Sequence, residues 1–279
     1  MENILIPTDF SDNAWNAIEY ATQVLKKDKC IFYILHVHPI TKYSDGDVEM
    51  HMSSEELEKI FLKGSEENFK RLRKKIERLP LNIKHTFHTQ ANYDFVTDRI
   101  KSEVSKKNID LIIMGTKGAS GLKSVSIGST TGSVMTKVKC PVLAVPENAE
   151  YRRPKEIAFP TDYNLNYDAR VLEGIKGFVL MNKSTIRFLY LSKVGEELTN
   201  EQRKNQEFLG EYFRGIEHSF HIVTGKRLET AVQCFTESRD IDIIVMVAKN
   251  LNFLQRILFK PRVEKISYHI KIPFLVLHE

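Results

Sequence analysis

The sequence predicts an α/β protein made of two domains in tandem, each a five-stranded parallel sheet flanked by helices. Short β-branched runs alternate with longer amphipathic segments along the chain, which is typical of βαβ units. The runs at 111–114 and 241–247 are almost entirely apolar, as expected of central strands buried on both faces. A chain of 279 residues with 42% hydrophobic content can supply two cores of ordinary size.

An internal repeat supports the tandem arrangement, because three segments of the first half recur in the second. The matched pairs are 4–10 (ILIPTDF) with 157–163 (IAFPTDY), 109–114 with 241–246, and 139–143 with 271–275. The last two pairs share a single offset. The segment between them can therefore be compared position by position.

Five strands are predicted in each half, with helices between them. In the first half they lie near residues 3–9, 31–38, 82–89, 109–114 and 141–145. In the second half they lie near 155–160, 185–192, 217–223, 240–247 and 272–278. The polar connection that ends at Pro154 predicts domains at 1–147 and 154–279 with a linker at 148–153. Because this linker is short, we expect the halves to pack about a pseudo-two-fold axis.

Composition argues against several classes of function. The 41 basic and 36 acidic side chains are spread along the chain, so no basic stripe for nucleic acid is evident. The densest basic stretch, 70–78, lies opposite an apolar stripe and is typical of a solvated helix face. No apolar run approaches the ~20 residues that a membrane helix needs. The apolar run at 4–6 follows Met1 too closely for a secretion signal. We therefore expect a soluble, cytoplasmic protein.

The three cysteines, Cys30, Cys140 and Cys234, stand apart without CxxC spacing. Neither a zinc site nor a disulfide framework is expected from them. His36, His38, His85 and His88 suggest a metal site, but they lack a carboxylate or cysteine at ligand spacing. Packing within strands is the favoured interpretation of these histidines.

A glycine loop follows the strand that ends at Met114. Gly115 and Gly118 are separated by two residues, and nine more precede Gly128 and Ser129, which open a predicted helix. Glycines let backbone N–H groups approach an anion, and the start of a helix adds the positive end of its dipole. The spacing is neither a Walker loop nor a GxGxxG fingerprint. A phosphate site is one interpretation and a glycine-rich turn is the other.

This loop, together with PTDFS at 7–11, LHV at 35–37 and CPVL at 140–143, closely resembles the universal stress protein family. The resemblance covers essentially the whole chain. It implies two Rossmann-like domains of the adenine nucleotide alpha hydrolase-like type. It also implies binding of ATP, ADP or AMP, with or without Mg²⁺, by a stress-response regulator or sensor that acts on a protein partner.

The resemblance assigns roles to particular residues. Asp9 matches an aspartate that contacts adenine, and Val37 matches a residue whose backbone does so. Thr8 and Met114 would flank the pocket. The ribose and phosphate loop is matched by Gly115, Gly118, Gly128, Ser129 and Thr130. An alternative role for Asp9 is to cap the following helix, although Ser11 or Asp12 could serve instead.

The second half lacks the glycine loop. Its residues at the five loop positions are Val247, Asn250, Lys260, Pro261 and Arg262. Proline supplies no N–H, and the added side chains would fill the space that phosphate oxygens need. Asp162 persists at the position of Asp9, but Ser192 answers Val37. We therefore expect no second nucleotide site.

The resemblance also implies pairing through the final strands, at 141–146 and 273–277. This contact would make the chain an intrachain pseudo-dimer, with homodimerisation of the whole chain as a further expectation.

Two other functions stay open at this stage. One is an interaction scaffold of the same fold that needs no nucleotide. The other is an enzyme of the related nucleotide-binding superfamily, although its His-x-Gly-His and Ser-Gly-Gly signatures are missing from the sequence. We find no nucleophile with a base and no carboxylate set for magnesium, so at most slow ATP hydrolysis is expected.

Overall fold

The fold is described from a computed structural model of the chain. The described residues are 1–40, 54–80, 82–116, 128–164, 168–192, 197–224, 228–248 and 272–278. Gly118 of the glycine loop lies outside them. So do Asn250, Lys260, Pro261 and Arg262, which answer the loop in the second half.

Strands and helices alternate through both halves. The first half contains β1 (Glu2–Pro7), α1 (Asp12–Val24), β2 (Cys30–Pro39), α2 (Ser54–Ile76), β3 (His85–Asp94), α3 (Val96–Lys107), β4 (Leu111–Gly115), α4 (Ser129–Lys137) and β5 (Val142–Val145). The second half contains β6 (Glu156–Thr161), α5 (Ala169–Asn182), β7 (Thr185–Ser192), α6 (Asn200–Tyr212), β8 (His218–Thr224), α7 (Leu228–Ser238), β9 (Ile243–Val247) and β10 (Phe274–Leu277).

All these strands form one sheet, in the order β3-β2-β1-β4-β5-β10-β9-β6-β7-β8. Each half contributes five parallel strands. The halves meet where β5 and β10 pair antiparallel, with Leu143 opposite Leu275. The expected contact between the two final strands is therefore confirmed. It joins the two parallel sheets into a single sheet.

The third strand begins later than predicted. Residues 82–84 form a turn in which Asn82 accepts from the Lys84 backbone N–H at 3.1 Å and donates to the Lys26 carbonyl at 3.0 Å. The strand then continues through the mostly polar segment 90–94, which pairs with the end of β2. As an edge strand, β3 has one neighbour and can carry polar side chains that a central strand could not.

Helices cover both faces of the sheet. On one face, α1, α2, α5 and α6 contribute buried side chains to a common apolar cluster. On the other face, α3, α4 and α7 contribute to a second cluster. Each cluster includes strand residues from both halves, so burial is continuous across the β5–β10 junction. None of the described helices combines the length and apolarity needed to cross a bilayer.

Candidate functional site

The predicted site residues that the structure describes lie at the carboxyl edge of the first half of the sheet. β1 lies between β2 and β4, so the chain leaves β1 on one side and returns on the other. Ligands of doubly wound sheets bind at such a reversal of strand order. Thr8 and Asp9 follow β1, Met114 and Gly115 end β4, and Val37 lies near the end of β2.

Two hydrogen bonds attach the start of α4 to the end of β4. The Gly128 N–H donates to the Thr116 carbonyl at 2.6 Å, and the Thr131 hydroxyl donates to the Gly115 carbonyl at 2.8 Å. The sequence indicated that a loop separates these residues, but it did not indicate that Thr131 holds them together. The amino end of α4 is therefore fixed beside the carboxyl end of β4.

The amino end of α4 has the features of an anion site. Gly128 is its N-cap, and glycine has no side chain of its own to cap the helix. Ser129 and Thr130 are exposed, whereas Thr131 and Gly132 behind them are buried. The first N–H groups of a helix have no partner within it, and its dipole places positive charge at this end. A phosphate group could accept hydrogen bonds from these N–H groups, and the positive end of the dipole would favour its negative charge.

The conformation of Gly128 helps to separate the two interpretations of the loop. Its φ is −64° and its ψ is 152°, a backbone region that any residue can adopt. A turn that needs positive φ therefore does not explain this glycine. Glycine at an N-cap, having no Cβ, lets an anion approach the backbone N–H groups of the helix end.

Gly115 has a different explanation that sequence reasoning missed. A Cβ on Gly115 would lie 2.7 Å from Asn13 Nδ2 and 2.8 Å from Asn13 Cγ in α1. Helix α1 presents small buried residues to the sheet, among them Ala14, Ala17 and Ala21. It therefore packs closely over β4, and glycine at position 115 permits that approach.

Asp9 lies in a tight turn between β1 and α1. Its Oδ1 accepts hydrogen bonds from the Ser11 N–H at 3.1 Å and the Ser11 hydroxyl at 2.6 Å. Phe10 adopts a left-handed φ of 63°, and its N–H donates to the Thr8 hydroxyl oxygen at 3.0 Å. Ser11 caps α1 by accepting from the Ala14 N–H at 3.2 Å. The alternative in which Asp9 is the helix cap is therefore wrong, and its carboxylate instead orders the turn.

The side chains of Val37 and Met114 belong to the core on the α3 and α4 face. Thr8 is buried as well. β1 pairs with β2 only as far as Leu35, whereas β3 follows β2 to Pro39. Val37 therefore lies beyond the end of β1, at the reversal of strand order. Any contact it makes with a ligand would involve its backbone, as the resemblance implies.

His36 also belongs to this region, which the sequence reasoning did not predict. Its Nδ1 bonds to the Thr8 carbonyl at 2.7 Å, and its ring lies 4.5 Å from that of Phe10. Burial lowers the pKa of His36, opposed by the Thr8 hydrogen bond and the nearby Asp9 carboxylate. His36 thus helps to hold the turn that carries Asp9. The LHV motif marked this position, but the sequence could not show which carbonyl it meets.

The other histidines of β2 and β3 pack as the sequence suggested. The His38 ring contacts those of His36 and Phe61, and its Nε2 lies 3.0 Å from the Ser65 hydroxyl. The rings of His85 and His88 pack against Phe32 and Tyr33 respectively. Their interpretation as strand packing is confirmed. No cluster of three or more metal-binding side chains occurs in the part of the chain that the structure describes.

The second half repeats the turn but closes it differently. Tyr163 adopts a φ of 55°, and its N–H donates to the Thr161 hydroxyl at 3.0 Å, as in the first half. Two amides of α6 then bind the turn carbonyls. Gln202 donates to the Asp162 carbonyl at 2.9 Å and Asn205 to the Tyr163 carbonyl at 2.6 Å. The turn of the second half is therefore fastened to α6.

Strand register corrects one sequence comparison between the halves. Pro7 pairs with Leu35, and its counterpart Pro160 pairs with Leu189. Continuing the register from these pairs makes Leu191 the counterpart of Val37. The sequence match of Val37 to Ser192 was therefore wrong by one residue. The sequence offered no motif in β7 that could fix this register.

By the same register, His36 is answered by Tyr190. The two positions make equivalent ring contacts, because Tyr190 stacks on Tyr163 at 5.3 Å as His36 contacts Phe10. The second half therefore has a tyrosine where the first has a histidine.

Comparisons with known proteins agree with this architecture. The model of the universal stress protein family matches residues 1–146. Universal stress protein MJ0531 of Methanocaldococcus jannaschii is 29% identical over 144 residues, which cover 52% of this chain and 81% of the relative. Universal stress protein MJ0577 of the same organism is 28% identical over 158 residues, covering 52% and 94%.

A solved universal stress protein from Archaeoglobus fulgidus matches the whole fold. It aligns with 99% of this chain and 98% of its own length, with a TM-score of 0.69 and 22% identity. The fold and the strand-end site thus define an α/β protein of two doubly wound halves. The family model spans more than half of the chain, and the chain belongs to the universal stress protein family.

Proposed function

We propose that the N-terminal half binds an adenine nucleotide, namely ATP, ADP or AMP, at the carboxyl edge of β1, β2 and β4. The observation that carries this proposal is the amino end of α4, which has glycine as its N-cap and is bonded to the end of β4. The phosphates would lie there, with Gly128, Ser129 and Thr130 as their main contacts and Gly118 as a further one. Adenine would lie toward Asp9 and the backbone of Val37, with Thr8 and Met114 behind it.

The protein would act in the cytoplasm as a stress-response regulator or sensor. Nucleotide occupancy would change the surface that it offers to a protein partner. We propose domain boundaries at 1–147 and 154–279, with the nucleotide bound by the first domain only. In the second domain, the turn at Asp162 is closed by Gln202 and Asn205.

The test is calorimetric titration of ATP, ADP and AMP, with and without Mg²⁺, into protein freed of bound ligand. The decisive variant is Gly128→Lys with Ser129→Pro, which imitates the second half. Both changes suit the backbone, because Gly128 has a negative φ and proline is favoured at the first position of a helix. They place a side chain in the proposed phosphate space and remove one N–H.

The matched control is Gly177→Lys, which adds the same charge to α5 at a glycine with nothing within 4 Å of an added Cβ. We expect about one nucleotide per chain in the wild type and in the control, and a loss of affinity of at least about 100-fold in the double variant. Absence of binding by all three nucleotides would overturn the proposal. It would favour a scaffold whose contacts do not depend on nucleotide.

A further inference from the structure

The carboxyl end of α4 is bound by a side chain from the other half. The last carbonyls of a helix have no N–H partner within it. In α4, the Val138 N–H donates to the Val134 carbonyl at 3.0 Å. The next carbonyl, that of Met135, accepts from Nε2 of His278 at 2.8 Å. A carbonyl can only accept, so His278 donates from a protonated Nε2.

His278 reaches α4 because of the junction between the halves. It directly follows β10, which pairs with β5. Met135 and Val134 of α4 share an apolar cluster with Phe274 and Val276 of β10. Burial lowers the pKa of His278, opposed by the Met135 and Cys140 backbone groups, which favours a neutral ring. The hydrogen bond therefore forms at a partly buried contact between the halves.

The first half has no equivalent donor. The matched segments 139–143 and 271–275 place Pro146 at the position of His278. A proline side chain cannot donate a hydrogen bond. His278 of the second half thus binds α4 of the first half, and the residue at the matched position of the first half, Pro146, has a side chain without a donor.

The opposite end of α4 is the proposed phosphate site. The helix has nine residues, and at 1.5 Å per residue it is about 13 Å long. Hydrogen bonding in a helix is cooperative, so in a helix this short we expect loosening of the carboxyl end to loosen the N–H groups of the amino end. Because Thr131 ties the same helix to Gly115, small displacements act directly on the end of β4.

We propose that His278 of the second half is a positioning residue for the nucleotide site of the first half, because it caps α4 at Met135. This inference rests on the proposed function. It gives the second half a role in nucleotide binding although it contributes no residue to the proposed site.

The experiment compares the full chain with three variants. His278→Leu removes the donor and keeps an apolar side chain. His278→Gln keeps a donor close to the place of Nε2 and serves as the rescue. His218→Leu is the control, because His218 bonds locally to the Ile216 carbonyl at 2.8 Å within the second half. The two measurements are amide hydrogen exchange across 129–137 and the Kd for ATP, ADP and AMP.

We expect His278→Leu to accelerate exchange in α4 and to weaken nucleotide binding, each by about tenfold. His278→Gln should recover most of both losses, and His218→Leu should change neither. If the wild type binds nucleotide and His278→Leu binds it equally tightly, this inference fails while the proposed function stands. If the wild type binds no nucleotide, the proposed function fails, and the positioning role fails with it.

Discussion

The two halves share one fold but treat the end of their first strand differently. In both, a threonine and an aspartate open a turn with a left-handed aromatic residue, Phe10 or Tyr163. In the first half the turn is followed at once by α1, with Ser11 as the cap. In the second half the helix cap is Asp168, four positions later than the counterpart of Ser11 would be. The turn is conserved between the halves, but the approach of the next helix is not.

The difference extends to how closely the first helix of each half packs on the sheet. Close packing of α1 over β4 needs small side chains in the helix and glycine at 115. In the second half, α5 buries Val171, Leu172, Ile175 and Val179. Beneath these larger side chains, β9 ends in Val247 and not in glycine. The second half keeps the strand junction and the cap on α4, while the first half keeps the glycine loop.

The largest expected effect is on stability, and it comes from replacing Gly115 by valine, the residue at the matching position of the second half. Gly115→Val would drive the new side chain into Asn13, since even a Cβ lies 2.7 Å from its Nδ2. We expect the free energy of unfolding to fall by about 2–3 kcal/mol. The measurement is urea denaturation followed by circular dichroism.

A matched control for this variant is Gly177→Val on α5, where an added Cβ meets nothing within 4 Å. This control should lower the free energy of unfolding by less than about 1 kcal/mol, because the helix propensity of valine is no lower than that of glycine. Equal stability of the two variants would contradict the close α1–β4 packing and reopen the simple ligand interpretation of Gly115.

A smaller effect, on nucleotide affinity, should distinguish Asp9 of the first half from Asp162 of the second. Asn keeps an oxygen that can order the turn but removes the charge. Asp9→Asn should weaken nucleotide binding by about tenfold, the loss expected for a charge-assisted hydrogen bond. Asp162→Asn should leave binding unchanged, because its turn belongs to the half without the glycine loop.

Thermal denaturation of both aspartate variants serves as the control for folding. Similar small changes in Tm would show that the loss of affinity does not come from a damaged turn. Equal nucleotide affinities for Asp9→Asn and Asp162→Asn would contradict the assignment of Asp9 to the ligand.

Much of this architecture could be predicted from residues alone. The apolar runs at 111–114 and 241–247 located the central strands, since only strands buried on both faces need such composition. The apolar runs are local features, so the sequence carries them directly. The β5–β10 pairing joins distant segments, and it was anticipated only through the family resemblance.

Other features depend on tertiary contacts that no local pattern encodes. The reason for glycine at 115 lies in Asn13, and the His278 bond joins residues far apart in the chain. The match of Val37 to Ser192 failed because a one-residue slip is invisible without strand pairing. Of the predicted site, Gly128, Ser129 and Thr130 have a geometry that suits phosphate, but their ligand stays a prediction.

The smallest expected effect concerns the histidine that the second half replaces by Tyr190. Burial lowers the pKa of His36, and burial together with His36 lowers that of His38. In the unfolded chain, histidine has a pKa near 6.5. As the pH falls below about 6.5, the unfolded chain therefore takes up protons on these histidines at a higher pH than the folded chain does. These depressed pKa values contribute stability above that pH, and the contribution is lost toward the folded pKa.

His36→Asn keeps a donor near Nδ1 for the Thr8 carbonyl but cannot titrate. Denaturation at about pH 7.5 and about pH 5.5 should show a smaller loss of stability in the variant, and an identical loss would mean that this histidine does not respond to acid.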